Sequence, residues 1–252
     1  MLEKDFILSK TEFVAYLKCP FQFYLLKELY KPTGHKRGNN YSDYEQFLFE
    51  GLQNHLWLQN FYQKYSAEIL DNTHPLLTES DKNNSWKRAF IDFEVNRFRL
   101  ELDFWEPVAV ELYLRNDSLC GTIDRIDLLN AKGDCRIVEY KPYSSKYDEE
   151  ELLFYAVLLT NHLPYEELPT IAKVTELGIY YYKAKEYYKA QLTAEIIDSF
   201  AEYLKSLKIE MVFPYSIKKK KTCDFSLAKC LYRETCQRIH IRRQKIIGLS
   251  KI

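Results

Sequence analysis

The chain is poor in the residues that make flexible or membrane-spanning sequence. Its 252 residues include only 7 Gly and 8 Pro, too few for long flexible linkers, and no repeat or low-complexity tract is present. No apolar run is long enough to span a bilayer, and no signal-peptide pattern is found. We therefore expect a cytoplasmic protein with no membrane partner. With 46% hydrophobic residues, the length fits a single domain over residues 1–252.

An excess of charge of one sign is also absent. The 36 Lys and Arg balance the 36 Asp and Glu, so overall charge does not indicate a polyanionic partner. The distribution is uneven, because residues 216–252 carry eleven Lys or Arg against Asp224 and Glu234. Such a segment is commonly a solvated surface, but beside a catalytic metal site it favours contact with phosphates.

Acidic residues on two predicted neighbouring strands are the main functional signal. Alternation along Gly121-Thr-Ile-Asp-Arg-Ile-Asp127 predicts two faces. One face carries Ile123, Arg125 and Asp127, and the other carries Thr122, Asp124 and Ile126. The turn sequence Ala-Lys-Gly-Asp at 131–134 predicts an antiparallel hairpin. In the second strand, Glu139 and Lys141 are two residues apart and share a face.

If that face lies beside Asp124, two carboxylates and a lysine converge. Neighbouring carboxylates repel unless a cation lies between them, and Mg²⁺ or Mn²⁺ accepts oxygen ligands of this kind. Lys141 can position an attacking water or stabilise charge on a phosphate. The pattern favours metal-assisted phosphodiester hydrolysis. The alternative is the solvated face of an exposed hairpin, since 29% of the residues are charged.

The motif Gly-x-Ile-Asp124-Arg-Ile-Asp followed by Glu139-Tyr-Lys141 resembles the PD-(D/E)xK nuclease superfamily, in particular its RecB-like branch. The resemblance implies an α/β fold, a restriction-endonuclease-like mixed sheet flanked by helices. It also implies metal ligands at Asp124, Glu139, the backbone carbonyl of Tyr140 and an upstream helical histidine, which corresponds to His55. Lys141 then orients or helps to deprotonate the water. Without the resemblance, a lone helical His is equally well a hydrogen-bonded packing residue.

The same branch next places a helix that begins Gln-x-x-x-Tyr. The sequence from Asp148 to Tyr155 has the tyrosine, an apolar stripe and an acidic first turn that suits the helix dipole. The resemblance implies that Tyr155 supports the site or the nucleic-acid strand. Glu151 stands where the family has glutamine and lacks the amide donors, so either it reaches the metal or the register is shifted by one. Glu111 is a weaker candidate for a group behind the metal ligands.

The six cysteines are a second signal. Cys120 and Cys135 fall in predicted strands and are interpreted as small buried hydrophobic residues. Cys19 follows a predicted helix that begins with the capping box Ser-x-x-Glu at 9–12. The other three lie far along the chain, at Cys223, Cys230 and Cys236. Since disulfides are rare inside cells, four thiolates at these places indicate a 4Fe-4S cluster or a structural zinc ion.

This split set resembles the RecB-like nucleases with iron-sulfur clusters, among them the CRISPR-associated Cas-four exonucleases and AddB-type nucleases. Cys230 and Cys236 have the family's C-x5-C spacing. The family's remaining cysteine falls at Leu227, whereas here Cys223 lies seven residues before Cys230. The resemblance implies a cysteine clasp that joins Cys19 to a segment at about 216–240. Zinc, or a degenerate cluster that no longer forms, is the alternative.

A coarse map of the chain completes the fold prediction. Helices are predicted at 9–30 with a break at Cys19-Pro20, and at 41–65, 84–104, 148–162 and 194–210. Strands are predicted at 107–115, 118–130, 134–141, 172–183 and 186–192. The helical region at about 40–105 is expected to be an insertion into the nuclease domain.

The resemblance implies a Mg²⁺- or Mn²⁺-dependent exonuclease on single-stranded DNA ends, in CRISPR adaptation or in recombination and repair. A CRISPR integrase or a helicase is the expected class of protein partner. Two alternatives are open: a non-catalytic DNA-end-binding subunit of a larger complex, and a zinc-clasped RNA-processing nuclease.

Overall fold

One mixed sheet of six strands organises the part of the chain that the structure describes. The computed structural model describes residues 6–20, 23, 42–71, 73–78, 81, 84–166, 168 and 170–212. The strands are β1 (Leu8–Ser9), β2 (Ala109–Arg115), β3 (Leu119–Leu128), β4 (Asp134–Lys141), β5 (Lys173–Tyr181) and β6 (Glu186–Gln191). The helices are α1 (Lys10–Lys18), α2 (Ser42–Gln59), α3 (Phe61–Leu70), α4 (Ser85–Glu101), α5 (Asp148–Thr160) and α6 (Ala194–Val212), and a 3-10 turn covers Leu102–Phe104.

Strand β3 has partners on both sides. Its Cys120 pairs with Ser9 of β1 and with Arg115 of β2, so β1 and β2 lie on opposite sides of it. On the side of β1, β4 pairs antiparallel with β3, as the predicted hairpin requires, but this ladder ends at the pair Arg125–Val138. The two strands therefore separate immediately before Asp124, and we call this opening the fork.

Helices cover both faces of the sheet, because alternating residues of β4 enter two different cores. The first core combines α1, α5 and α6 with the sheet and includes Phe13, Ile126, Ile137, Phe154 and Leu204. The second combines α2, α3 and α4 with the sheet and includes Leu58, Phe61, Phe90, Val138 and Tyr140. This layering confirms the predicted restriction-endonuclease-like mixed sheet flanked by helices. The single-domain boundaries, and the reading of 40–105 as an insertion, remain predictions.

The largest differences from the predicted helical boundaries are at two places. The helix predicted at 41–65 is two helices, which meet at Asn60, where ψ is 0° and the side-chain amide donates a hydrogen bond to the Leu56 carbonyl. The helix predicted at 84–104 ends at Glu101, since Leu102 takes a φ of 36°. Apolar periodicity continues through both breaks, so the sequence pattern alone does not reveal them.

Two strand features also depart from the prediction. Strand β1 was missed, because two residues are too few for an alternating pattern. Ile123, predicted on the face of Arg125, packs with Ile126 in the first core instead. The regular alternation fails close to Glu111, which has a φ of 52° and stands opposite Asp124 in the β2–β3 register.

A buried ionic network lies behind the sheet, on the side of α4. Asp127 has no exposed surface and accepts two 2.7 Å hydrogen bonds from Arg125 and one of 2.9 Å from Arg136. The Arg97 guanidinium is 3.5 Å from the same carboxylate. Burial alone would raise the pKa of Asp127, but the three guanidinium groups hold it well below its ordinary value. The carboxylate therefore stays ionised inside the core.

The network reaches from the sheet into α4 and β5. Arg125 donates a 2.8 Å hydrogen bond to Glu94, and Arg136 donates 2.9 Å hydrogen bonds to Glu176 and to Glu101. Because each charge has its partner, the cost of burying these ions is offset by pairing. The network therefore fixes the helical layer against the back of β3 and β4.

Replacing the shared carboxylate tests this description. Asp127→Asn leaves three buried guanidinium groups short of one negative charge and is expected to lower the free energy of unfolding by about 3–5 kcal/mol. Because the pKa of Asp127 is depressed in the folded protein, its contribution is fully present above the unfolded pKa of about 3.9 and is lost as the pH falls through the folded value.

Urea unfolding at pH 7 and at successively lower pH measures both effects. Asp198→Asn on the exposed face of α6 is the matched control and should leave the unfolding midpoint unchanged. Equal midpoints for Asp127→Asn and the wild-type protein would contradict the structural role of the network.

Candidate active site

The predicted motif residues line one cleft of about 450 Å³ at the fork. Strands β3 and β4 form its floor, and α1, α2 and α5 contribute side chains to its walls. Among its lining residues are Lys10, His55, Asp124, Glu139, Lys141 and Tyr155. Five of these six were predicted from the sequence. Lys10 was not.

Asp124 lies at the base of the fork and is 6% exposed. Since β4 no longer pairs with β3 here, the Tyr140 amide donates a 2.8 Å hydrogen bond to the Asp124 carboxylate. Burial raises the pKa of Asp124 well above its ordinary value, and the Glu139 carboxylate adds to this effect. Among the described residues, positive charge near Asp124 is therefore too small to offset the burial of its ionised carboxylate.

His55 and Glu111 complete a group of possible metal ligands with Asp124. His55 Nδ1, on α2, is 3.7 Å from Glu111 Oε1 and 3.9 Å from Asp124 Oδ1. One ligand atom from each of the three residues lies within 4.8 Å of the others. The Glu111 carboxylate raises the pKa of His55, burial opposes it, and Asp124 adds to the rise. Two carboxylates and one imidazole are a suitable donor set for Mn²⁺ and, through the oxygens, for Mg²⁺.

Glu139 borders this group from β4 and is 3% exposed. Its Oε1 atom is 3.5 Å from Lys10 Nζ and 3.6 Å from Lys141 Nζ. Its Oε2 atom is buried and accepts no hydrogen bond from the described residues. A buried carboxylate oxygen without a donor is costly, and a bound cation satisfies it. The residues at the fork thus fit a divalent metal ion.

Tyr140 takes part in the cleft through its backbone alone. Its side chain points into the second core, where its hydroxyl accepts a 3.0 Å hydrogen bond from Arg125. The Tyr140 carbonyl remains a proposed metal ligand, as the resemblance implied.

Lys141 and Glu151 form an ion pair at the wall of the cleft. Asp148 is a more distant partner, with Oδ1 3.8 Å from Lys141 Nζ. Burial alone would raise the pKa of Glu151, but Lys10 and Lys141 lower it below its ordinary value. Glu151 therefore contacts the two lysines of the cleft rather than the His55 group.

Lys10 is the charged cleft residue that sequence reasoning missed. As the first residue of α1 it is held by the Ser9–Glu12 capping box, with Ser9 donating to and accepting from Glu12. Its Nζ atom is 3.2 Å from Glu151 Oε2 and 5.6 Å from the centre of the Tyr155 ring. A lysine in the first turn of a helix is unfavourable for the helix dipole. This unusual position was the one feature of the sequence that could have indicated a functional role for Lys10.

Tyr155 packs closely against Gly121. Tyr155 is buried on α5, and a Cβ atom added at Gly121 would lie 3.0 Å from its Cε1 atom. A side chain at 121 would therefore require the Tyr155 ring to shift. The glycine of the Gly-x-Ile-Asp motif thus permits the close approach of α5 to β3.

The cysteines divide between the described and the remaining parts of the chain. Cys135 is fully buried, as predicted, and burial raises the pKa of its thiol to about 12. Cys120 was expected to be buried but is only partly so, because it borders the cleft. Cys19 is half-buried and caps the C-terminal end of α1. The other three proposed cluster ligands, Cys223, Cys230 and Cys236, lie outside the described residues.

Comparison with known proteins agrees with this geometry. The model of the PD-(D/E)XK nuclease superfamily matches residues 7–237, which is most of the chain. The chain therefore belongs to the PD-(D/E)XK nuclease superfamily. No curated protein matches it. Among the described helices, none is long and apolar enough to cross a membrane.

Removing a carboxylate from the fork should stabilise the metal-free protein. In EDTA at pH 7, Asp124→Asn relieves the repulsion with Glu139 and keeps an oxygen for the Tyr140 amide. We expect the melting temperature to rise by about 2–4 °C for each kcal/mol gained. Because the pKa of Asp124 is raised in the folded protein, its penalty is absent well below the unfolded value of about 3.9 and grows as the pH rises above it.

Thermal melts with and without Mn²⁺ check this expectation. Mn²⁺ should raise the melting temperature of the wild-type protein, since a ligand of the folded state stabilises it, and should do so far less for Asp124→Asn. Asp198→Asn is again the surface control and should respond to Mn²⁺ as the wild type does. A metal-free Asp124→Asn protein that melts below the wild type would contradict the described repulsion.

Proposed function

We propose that this protein is a Mg²⁺- or Mn²⁺-dependent deoxyribonuclease that hydrolyses phosphodiester bonds. The observation that carries the proposal is the convergence at the fork of the His55–Glu111–Asp124 group, the unpaired Glu139 Oε2 atom and the Lys141 ammonium. Membership of a nuclease superfamily supports the same chemistry.

The proposed division of labour follows from the contacts. His55, Asp124, Glu139 and the Tyr140 carbonyl would hold the ion, and Glu111 joins this set because of its distance to His55. When bound, the ion supplies charge stabilisation to the phosphoryl group and lowers the pKa of water. Lys141 would hold the attacking water by hydrogen bonding or help to deprotonate it, and its ion pair with Glu151 keeps its ammonium directed into the cleft. Tyr155 supports Lys10 and the floor of the cleft.

The substrate is proposed to be DNA, with exonucleolytic cleavage from single-stranded ends, in CRISPR adaptation or in recombination and repair. This choice rests on the resemblance to the RecB-like branch. The basic composition of residues 216–252, which lie outside the described residues, agrees with it, since lysines and arginines can hold the phosphates of a strand. A CRISPR integrase or a helicase is the proposed class of protein partner.

Replacing Lys141 tests catalysis. Wild-type protein purified without air and supplied with Mn²⁺ should degrade end-labelled linear single-stranded DNA. Lys141→Ala should reduce kcat on the order of a hundredfold, because it removes a preorganised charge at the reacting phosphate. Lys173→Ala, an exposed lysine paired with Asp134, is the matched control and should cleave as the wild type does.

Three further outcomes of the same assay would contradict parts of the proposal. Cleavage of circular single-stranded DNA as fast as linear DNA would exclude an exonuclease. Faster cleavage of RNA than of DNA would favour the RNA-processing alternative. DNA binding with no cleavage by the wild type, in either metal, would favour the non-catalytic end-binding subunit.

The cysteine clasp is proposed as a 4Fe-4S cluster held by Cys19, Cys223, Cys230 and Cys236. Its place in the chain supports it, since Cys19 follows α1 directly, and α1 carries Lys10 into the cleft. A cluster at this point would couple metal assembly to the folding of the site.

Protein purified without air should be brown, with broad visible absorption and bound iron, because thiolate-ligated iron-sulfur clusters absorb in the visible range. Cys230→Ser should lose the colour, whereas Cys120→Ser is the control that keeps it. A colourless protein with stoichiometric zinc would establish the zinc alternative. A protein with neither metal would exclude the clasp.

A further inference from the structure

We propose that Lys10 acts as a permanent second cation of the active site, so that the cleft takes one divalent ion and not two. The ammonium of Lys10 lies between Glu139 and Glu151, where it supplies the positive charge that a second metal ion would otherwise bring. Lys10 is then a positioning residue. The inference rests on the proposed function and deepens it.

The first half of the cleft, around His55, Glu111 and Asp124, lacks a cation to offset its carboxylates among the described residues. Asp124 and Glu111 bring two carboxylates, and His55 is their neighbouring base. The lysines of the cleft contact Glu139 and Glu151 rather than these carboxylates. The unpaired Oε2 atom of Glu139 adds a further acceptor. One divalent ion satisfies this half of the cleft.

In the second half of the cleft, around Glu139 and Glu151, the carboxylates already contact ammonium groups of the protein. Lys10 contacts Glu139 and Glu151, and Lys141 contacts the same two carboxylates and, at 3.8 Å, Asp148. The adjacent Asp148 is held by its Oδ2 atom, which accepts hydrogen bonds from the Ser145 amide at 2.6 Å and from the Tyr181 hydroxyl at 2.8 Å, and its Oδ1 atom has the Lys141 ammonium as its cation, at 3.8 Å. A second divalent ion would have to displace an ammonium that is held in place.

Lys10 is well fixed for this role. It begins a capped helix, and β1, directly before it, pairs with β3 beside the cleft. Its side chain is one-quarter exposed and passes over the Tyr155 ring. The ammonium therefore approaches the two carboxylates from a rigid element, with little freedom to leave.

The ion pairing with lysine also accounts for the glutamate at position 151, where the resemblance implied a glutamine. A carboxylate at 151 without sufficient positive charge nearby would repel the phosphate of a substrate, whereas Glu151 is paired with both Lys141 and Lys10. Lys10 and Glu151 thus form a matched pair. Removing the lysine alone should be more harmful than removing both charges.

Counting bound Mn²⁺ ions tests the inference without reference to cleavage. Isothermal titration of DNA-free protein should give one Mn²⁺ per wild-type chain and one for Lys10→Arg, which keeps the charge. Lys10→Met should bind a second ion between Glu139 and Glu151. Lys10→Met/Glu151→Gln should return to one, because a single carboxylate remains there. Lys205→Met, from an exposed Lys–Glu pair on α6, is the matched control and should bind one.

Kinetics add an independent measurement. Lys10→Met should lower kcat on the order of a hundredfold, with little change in KM, and the double variant should recover roughly tenfold of that loss. The rate of the wild type should depend on the Mn²⁺ concentration with a Hill coefficient of one. This measurement needs no variant, so it tests the inference even if Lys10→Met does not fold.

Three results would overturn the inference: two Mn²⁺ ions on the wild type, an unchanged count of one on folded Lys10→Met, or a double variant at least as impaired as Lys10→Met. A wild type that binds one Mn²⁺ but cleaves no nucleic acid would refute the proposed nuclease and leave the ion count standing. The two failures are therefore distinguishable.

Discussion

The Asp127 carboxylate, shared among Arg97, Arg125 and Arg136, is the interaction on which the rest of the molecule depends. Successive residues of a strand point to opposite faces, so the arginine that binds Asp127 from behind the sheet is adjacent in sequence to Asp124 in front of it. The network thereby holds β3 and β4 from the back while their front edges separate. A buried hydrophobic contact would support the same layers, but it would not fix the strands through directed hydrogen bonds.

The acidic residues in front of the sheet, at the fork, are not paired with arginines in this way. Behind the sheet the arginines offset the buried acids, whereas the fork leaves Asp124 and one oxygen of Glu139 without sufficient positive charge. Repulsion of this kind costs stability in the metal-free protein and is the usual condition of a site that works by binding a cation. Acidic residues on these two strands thus have two roles. Behind the sheet, Asp127 is paired with arginines and stabilises the fold, whereas in front of it Asp124 and Glu139 lack such partners and are suited to bind a cation.

Much of this site was predictable, because its residues sit in a contiguous pattern. The Gly-x-Ile-Asp and Glu-x-Lys motifs identified Asp124, Glu139 and Lys141, and the spacing to Tyr155 located the next helix. Lys10 and Glu111 were missed or underrated for a physical reason. Lys10 reaches the cleft through a two-residue strand that no periodicity reveals, and Glu111 enters through a backbone with positive φ. Tertiary pairing, which the linear pattern does not contain, brings both residues to the fork.

The geometry of the fork also bears on which metal ion the proposed site would prefer. Its opening is set by the point at which the β3–β4 ladder ends and by the ionic network behind it. The backbone positions of Asp124 and Glu139 are consequently supported by residues behind the sheet. Mg²⁺ requires shorter and more regular coordination than larger ions. In the proposed metal site, Arg125 and Asp127 would therefore influence the preference for ionic radius without contacting the ion.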